Sequence, residues 1–362
     1  MSVHGFQPEC LPVLIGSIPM DDHQKASDLV MVYTPEIPLW VQLPAYPEEG
    51  MMAQFLPGMP GITEEKDKRF IDASGERFEG ELLAFYEEYM AVTAGGEALA
   101  SSRFVMTPKT ANGFFVFMNQ IEGLSPMPVA LKGQITGPVT FGTGVCDAEG
   151  RAIFYNEQLR DAAVKLLAMK ARWQVQQLKR FGRPVVIFFD EPALAGYGSS
   201  AFISISKAEI QNCFKEVIDA VHQEGGLAGI HVCANADWSL LLDSPTDVVS
   251  FDAYAYFDKF ALYPEQIRQF LERGGILAWG IVPTLNAEDI DNETAESLTA
   301  DWWDKVKKLE NMGIESARIL SQSLISPSCG TGSLSLTHAK RVLELTRAVS
   351  RSIRNTRNIT RK

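Results

Sequence analysis

The amino-acid sequence predicts an α/β protein built as a single (β/α)8 barrel. Short apolar segments alternate with longer segments whose apolar residues recur every three or four positions, which predicts parallel strands joined through helices. Residues 184–190 are apolar up to a final carboxylate, as is typical of strands buried on both faces of a parallel sheet. Eight such strands suit a closed barrel of the TIM type. We predict the strands at residues 11–19, 39–43, 129–133, 184–190, 227–232, 247–252, 276–280 and 317–321, with the last running on toward residue 325.

A long irregular insertion follows the second predicted strand and covers residues 45–127. It contains one amphipathic helix, at 79–94, and an excursion of this length inside a compact domain is typical of a lid or subdomain. We therefore expect residues 1–362 to form one barrel domain with 45–127 as its lid. Further helices are predicted at 156–181, 207–223, 237–242, 265–273, 294–312 and 336–349.

Composition and charge exclude several classes of protein. The formal net charge of −12 argues against nucleic acid or an anionic membrane as partner, because both require basic patches. The five cysteines are odd in number and scattered, unlike a secreted disulfide framework. No apolar run reaches the roughly 20 residues of a membrane span, and residues 1–7 do not open a signal peptide. We expect a cytoplasmic protein with reduced thiols.

Three residues far apart in sequence are candidates for a metal site. His231 and Cys233 follow an apolar run at a spacing of two, so in a strand both point the same way. Imidazole nitrogen and thiolate sulfur suit zinc, and Cys329, in a loop after the last predicted strand, offers a third ligand. Asp252 ends another strand and is the candidate for a fourth ligand, unless that position stays open. The alternative is a core histidine with two small buried thiols.

Other polar residues at predicted strand ends are candidates for substrate binding. Asp190 and Glu191 follow an apolar strand, so each must be solvated, hydrogen-bonded or neutralised by a cation such as a substrate ammonium. A helix N-cap is the alternative for one of the two. Exposed N–H groups and a hydroxyl near Ser17 suit a substrate carboxylate, with an ordinary turn as the alternative. The remaining candidates are Ile15, Gly16, Gln134 and Thr136.

Five motifs occur in a fixed order over nearly the whole chain: IGSIP at 15–19, GQITGPVT at 133–140, DEPAL at 190–194, HVC at 231–233 and SPSCG at 326–330. In these motifs the chain resembles the catalytic C-terminal barrel of cobalamin-independent methionine synthase. That barrel belongs to a larger group with uroporphyrinogen decarboxylase and the zinc methylcorrinoid:thiol methyltransferases. The five motifs are specific as a set. Of the smaller combinations, only the His-x-Cys motif together with the later Pro-x-Cys-Gly is specific.

The resemblance implies a ligand set and two substrate anchors. It implies zinc held by His231, Cys233 and Cys329, with Asp252 where the family has a glutamate ligand. It also implies that an amino-acid substrate binds its carboxylate at 15–17 and its ammonium at Asp190. Three departures are visible. These residues contain no counterpart of the family's folate-binding N-terminal barrel. The substrate-binding glutamate that the family has just after the second strand is not evident, with Tyr46 or Glu48 nearby, and 280–284 lacks the family's histidine proton donor.

From these observations we expect a zinc-dependent methyltransferase that methylates a zinc-bound thiol, with homocysteine giving methionine. The expected donor is a methylated corrinoid, free or on a partner protein, with methyl-folate as the alternative. Three other functions stay open: methylation of another thiol such as coenzyme M, a decarboxylase of the uroporphyrinogen type, and a non-catalytic corrinoid-binding or methyl-carrier protein. Methylation of another thiol would make the amino-acid anchors dispensable. A decarboxylase of the uroporphyrinogen type would need arginines at the site and no metal.

Overall fold

The computed structural model describes residues 6–65, 68–95, 98–199, 202 and 204–360, with side chains to residue 356. Seven strands form a parallel sheet in the order β1-β9-β8-β7-β6-β5-β4, and the other two pair as an antiparallel hairpin. The strands in the described residues are β1 (Leu11–Pro12), β2 (Ile62–Glu65), β3 (Lys68–Ile71), β4 (Leu131–Thr136), β5 (Val185–Asp190), β6 (Leu227–Val232), β7 (Val248–Phe251), β8 (Ile276–Val282) and β9 (Ser323–Pro327).

Thirteen α-helices connect and cover these strands in the described part of the chain. None of them combines the length and the apolar character that crossing a membrane requires. The helices are α1 (His23–Tyr33), α2 (Phe78–Thr93), α3 (Pro108–Glu122), α4 (Pro138–Gly144), α5 (Glu157–Lys179), α6 (Lys207–Gln223), α7 (Ser239–Leu242), α8 (Ala253–Phe260), α9 (Pro264–Glu272), α10 (Ala287–Asn292), α11 (Ala295–Asn311), α12 (Ser316–Ser321) and α13 (Leu336–Thr360).

The predicted second strand, 39–43, lies between the two edges of the sheet but is not a regular strand. It forms single parallel bridges, Ser17 with Gln42 on one side and Leu39 with Lys132 on the other. The prolines that bound the segment, at 38 and 44, carry no N–H and so limit a longer ladder. The regular part of the sheet is therefore a curled half-barrel of seven strands, consistent with the TIM-like fold.

The predicted strand at 317–321 is wrong, because these residues form helix α12 and the strand begins at Ser323. Alanine, arginine and leucine at 317, 318 and 320 favour a helix. The strand that follows, β9, is buried at every position. Gln322 separates the two elements, and its side chain donates to the backbone oxygens of Leu271 and Gly275.

The insertion 45–127 contains more regular structure than the sequence predicts. Helix α2 matches the predicted helix within one residue at each end, whereas α3 is unpredicted. An irregular backbone conformation at Ala111 and a glycine at 113 interrupt its pattern. Phe114 of α3 packs against Trp173 of α5 at a ring-centroid distance of 4.9 Å, so the insertion is anchored on the helical layer.

Polar residues occupy one end of the strands. Alternate positions toward the amino-terminal ends form a buried apolar cluster that includes Val186, Phe188, Leu227 and Val248. On β5 the same face continues to Asp190, because side chains two residues apart point the same way. The carboxyl ends of the sheet therefore carry the candidate functional residues.

Candidate metal and substrate site

The sheet brings His231, Cys233 and Cys329 together. One potential ligand atom from each of them lies within 4.8 Å of the other two. His231 lies in β6 and is 3% exposed, and its Nδ1 is 2.9 Å from Ser250 Oγ on β7. Its Nε2 is buried and has no hydrogen-bond partner among the described residues. In a typical metal-binding histidine, one ring nitrogen is hydrogen-bonded and fixes the ring, and the other is left free for the metal. The two nitrogens of His231 follow this arrangement.

The two thiols lie close together and affect each other's pKa. The Cys233–Cys329 hydrogen bond lowers the pKa of Cys233, and the same bond raises the pKa of Cys329. One imidazole and two thiolates are a ligand set that fits zinc, and three protein ligands leave the exchangeable position that catalytic zinc keeps.

Asp252 lies at the end of β7 and caps helix α8. Its Oδ1 accepts a hydrogen bond of 2.8 Å from Ala255 N. The residue is 1% exposed, and burial raises its pKa to about 6. Asp252 does not belong to the group of three potential ligands above. Its role as a fourth ligand therefore stays a prediction.

A cavity of about 440 Å³ opens at this end of the sheet, in the size range of small-molecule sites. The insertion contributes Glu49, Gly50 and Met51 to its wall. Among the described residues that line it there is no arginine and no lysine. The predicted site residues that line it are Ile15, Ser17, Thr136, Asp190, His231, Cys233 and Cys329.

Four predicted residues lie outside the lining: Gly16, Gln134, Glu191 and Asp252. Glu191 is fully buried and turned toward α4, where its carboxylate accepts hydrogen bonds of 2.9 Å from Val139 N and 2.7 Å from Thr140 N. Burial raises its pKa to about 7. Gln134 donates to the Trp40 backbone oxygen at 2.6 Å. In both residues the polar atoms already satisfy buried backbone groups.

Asp190 faces the cavity with a buried oxygen, Oδ1, that has no hydrogen-bond partner in the described residues. It pairs in register with Thr136 on one side and His231 on the other. Burial raises its pKa to about 6, against the opposing effects of the nearby His231 and Lys132. An unpaired carboxylate oxygen at a cavity wall is suited to accept a hydrogen bond from a cationic ligand.

Lys132 is a buried lysine of β4 that the sequence analysis missed. Its Nζ donates to the backbone oxygen of Ile15 at 2.7 Å and lies 4.4 Å from the centre of the Phe188 ring. The side chain is fully buried, and burial lowers its pKa to about 7. A lysine inside an otherwise buried strand was the available signal, because such residues are almost never fully buried unless paired.

Glu49 is the second functional candidate that sequence reasoning missed. It is 6% exposed and lines the cavity, whereas Tyr46 is 38% exposed and does not line it. Its Oε1 is 2.6 Å from His23 Nε2, and its Oε2 accepts from Leu43 N at 2.8 Å. Asn112 of α3 lies 3.1 Å from the other nitrogen of His23. Adjacent glutamates at 48 and 49 gave no sequence signal for which one turns inward.

Comparison with known proteins locates the fold and leaves the family open. No protein family profile matches the chain, and no curated protein sequence matches it.

Solved structures do match. A methyltransferase from Methanosarcina mazei shares 14% identity at a TM-score of 0.53, with 96% of this chain and 94% of that chain covered. A B12-independent methionine synthase from Shewanella sp. W3-18-1 shares 17% identity at a TM-score of 0.47, covering 68% and 67%. An endoglucanase from Ruminococcus champanellensis shares 14% at 0.35, covering 65% and 75%. The first likeness supports the fold, and we infer nothing from the other two.

Proposed function

We propose that this protein is a zinc-dependent methyltransferase that transfers a methyl group to a thiol. The observation that carries the proposal is the convergence of His231, Cys233 and Cys329, whose ligand atoms lie within 4.8 Å of one another around an unpaired buried imidazole nitrogen. These three residues would hold the metal. Bound zinc would supply Lewis-acid chemistry, which lowers the pKa of a coordinating thiol so that the thiolate is available at neutral pH.

The acceptor we propose is homocysteine, which becomes methionine. The cavity presents two carboxylates, Asp190 and Glu49, and no arginine or lysine among its described lining residues, so it favours a ligand with a positive group. Asp190 would accept from the substrate ammonium through its unpaired Oδ1. The strand end at 15–17 would receive the substrate carboxylate. These contacts would hold the sulfur and the methyl carbon in line and keep water out.

The donor we propose is a methylated corrinoid, free or on a partner protein, in the cytoplasm. The sulfur lone pair forms the new S–C bond, and the electron pair of the breaking cobalt–carbon bond stays with the cobalt. That leaving group needs no proton, in contrast to a folate nitrogen. Correspondingly, His231 is the only histidine among the described residues that line the cavity. In the segment 280–284, where the family has its histidine proton donor, this chain has Thr284, whose hydroxyl is hydrogen-bonded to that of Ser328.

The composition of the cavity wall weighs against a decarboxylase that binds several substrate carboxylates. Such a site requires arginines, and none lies among the described lining residues. A thiol without an amino group would leave the buried Asp190 Oδ1 without a partner. For these reasons we prefer an amino-acid thiol.

The direct test is to mix zinc-loaded protein with homocysteine and methylcobalamin and to measure methionine and the corrinoid spectrum. We expect methionine to form as methylcobalamin is consumed, and we expect Cys329→Ala to abolish both changes. Zinc-loaded protein that produces no methionine and leaves the corrinoid spectrum unchanged would contradict the proposed reaction.

A further inference from the structure

The loop that carries Cys329 is attached on both sides to neighbouring strand ends. On its amino-terminal side, Ser328 N donates to Val282 O at 2.8 Å. The hydroxyl of Ser328 also lies 2.8 Å from that of Thr284. Ser328 and Thr284 are 2% and 4% exposed. The residue immediately before the thiol is therefore tied to the end of β8.

On its carboxyl-terminal side the loop is tied to Ser17. Thr331 donates twice to the backbone oxygen of Ser17, from its N–H at 3.0 Å and from its hydroxyl at 2.9 Å. Gly332 N donates to Ser17 Oγ at 3.1 Å. Thr331 is 3% exposed.

Close packing explains the two glycines of this loop. A Cβ on Gly330 would overlap Ser17 Oγ, and a Cβ on Gly332 would lie 2.6 Å from Pro44 Cγ and 2.8 Å from Ser17 Cβ. The loop therefore needs glycine at both positions to approach the strand end. Glycine also increases the conformational entropy that the loop loses on folding. The two attachments restrict that freedom on either side of Cys329.

We infer that Thr284, Ser328, Thr331 and Ser17 are positioning residues that hold the Cys329 sulfur where it meets His231 and Cys233. This inference rests on the proposed function and extends it to residues outside the ligand set. Thr284, Ser328 and Thr331 do not line the cavity, so their contribution is to the metal and not to direct substrate contact. Ser17 does line it, so the substrate anchor and the ligand loop share one residue.

The consequence is a slower release of zinc. On an unattached loop, the Cys329 thiolate would dissociate from the metal more often. His231 and Cys233 alone would then hold the zinc less tightly, and the zinc would dissociate from the protein faster. Residues that orient metal ligands typically contribute about 10–100-fold in metal affinity. We therefore expect Thr331→Val and Thr284→Val each to speed zinc release to a chromophoric chelator by about tenfold.

Matched variants separate this effect from a general loss of packing. Thr246 is also buried and also donates its hydroxyl to a backbone oxygen, that of Ala228 at 2.8 Å, at the opposite end of the sheet. We expect Thr246→Val to release zinc at the wild-type rate. We expect Thr331→Ser, which keeps the hydroxyl, to restore slow release, and urea unfolding of each variant identifies any that fails to fold.

The outcomes distinguish this inference from the proposed function. If the wild type binds zinc and makes methionine, but Thr331→Val and Thr284→Val release zinc no faster than Thr246→Val, the inference is overturned and the proposed function stands. Faster release restored by Thr331→Ser supports the inference whether or not methionine is the product. A wild-type protein that binds no zinc overturns both.

Discussion

The two ends of the parallel sheet use buried polar side chains in different ways. At the amino-terminal end, Asp247 Oδ2 accepts from Ala228 N and lies 2.7 Å from His222 Nε2, and Gln322 donates to two backbone oxygens. At the carboxyl-terminal end, three atoms have no partner. They are His231 Nε2, Asp190 Oδ1 and Ser326 Oγ, out of five such buried side-chain atoms in the described residues.

The difference separates groups that stabilise the fold from groups available to a ligand. A buried polar atom without a partner costs roughly 1–3 kcal/mol, so each of the three at the carboxyl-terminal end requires an explanation, and a bound ligand supplies one.

The largest effect is expected from the metal ligands. We expect Cys329→Ala to lower zinc affinity about a hundredfold or more, because zinc-finger sites gain about 10–16 kcal/mol from four ligands and so about 3 kcal/mol from each. Chelator competition measures the affinity. Cys146→Ala is the control, since that thiol lies outside the group of three ligands, and it should bind zinc normally. Equal affinity in both variants would show that Cys329 is not a ligand.

The adjacent carboxylates Asp190 and Glu191 provide the next contrast. We expect Asp190→Asn to raise the KM for homocysteine by roughly 10–100-fold, from the loss of a charged hydrogen bond worth about 1.5–3 kcal/mol. Steady-state kinetics at a fixed concentration of methylcobalamin give the value.

Glu191→Gln should change the stability of the fold and not the binding of substrate. It should leave the KM unchanged and lower the free energy of unfolding by about 1–3 kcal/mol, because it weakens the buried contacts with Val139 and Thr140. A KM that rises equally in both variants would place both residues in contact with substrate.

The third prediction concerns Lys132 and the pH dependence of substrate binding. Since burial raises the pKa of Asp190 to about 6, the KM for homocysteine should rise as the pH falls through about 6 and the carboxylate becomes neutral. Lys132 favours the ionised carboxylate, so Lys132→Met should move that rise to higher pH.

Lys170→Met is the control for the pH experiment. Lys170 is also buried, and burial lowers its pKa to about 7, but it lies on α5. Its replacement should leave the pH profile of the KM in place. A profile that moves equally in both variants would indicate a general effect of removing a buried cation.

The smallest effect is expected at the amino-terminal end. The hydrogen bond to Asp247 raises the pKa of His222, so the stabilising charge is fully present below the unfolded pKa of about 6.5 and is lost as the pH rises through the folded value. His222→Gln should lower the free energy of unfolding by about 1 kcal/mol or less at pH 5.5, since the pair is partly exposed, and by less at pH 8.5. Zinc affinity and the KM should not change.

The sequence was most informative where periodicity fixed side-chain direction. The spacing of His231 and Cys233 and the position of Asp190 after an apolar strand predicted residues that the sheet does bring to one cavity. That they bind metal and substrate stays a prediction. The seven regular strands of the sheet confirm the parallel α/β architecture, although residues 39–43 form only single bridges.

Other features depended on tertiary contacts that local patterns do not encode. Several residues of helix α12 favour a helix, but its apolar residues also fit a short strand, and the burial of β9 at every position shows which segment forms the strand. Glu48 and Glu49 are the same residue type, and only the local path of the backbone directs the side chain of Glu49 toward His23. The inward direction of Glu191 depends on α4, which is distant in sequence.

The measurement that tests the central claim most directly is X-ray absorption at the zinc edge of the purified protein, with and without homocysteine. We predict one zinc per chain with two sulfur ligands, and three once homocysteine is added. A protein that takes up no zinc, or whose zinc has no sulfur ligands in either state, would contradict the account.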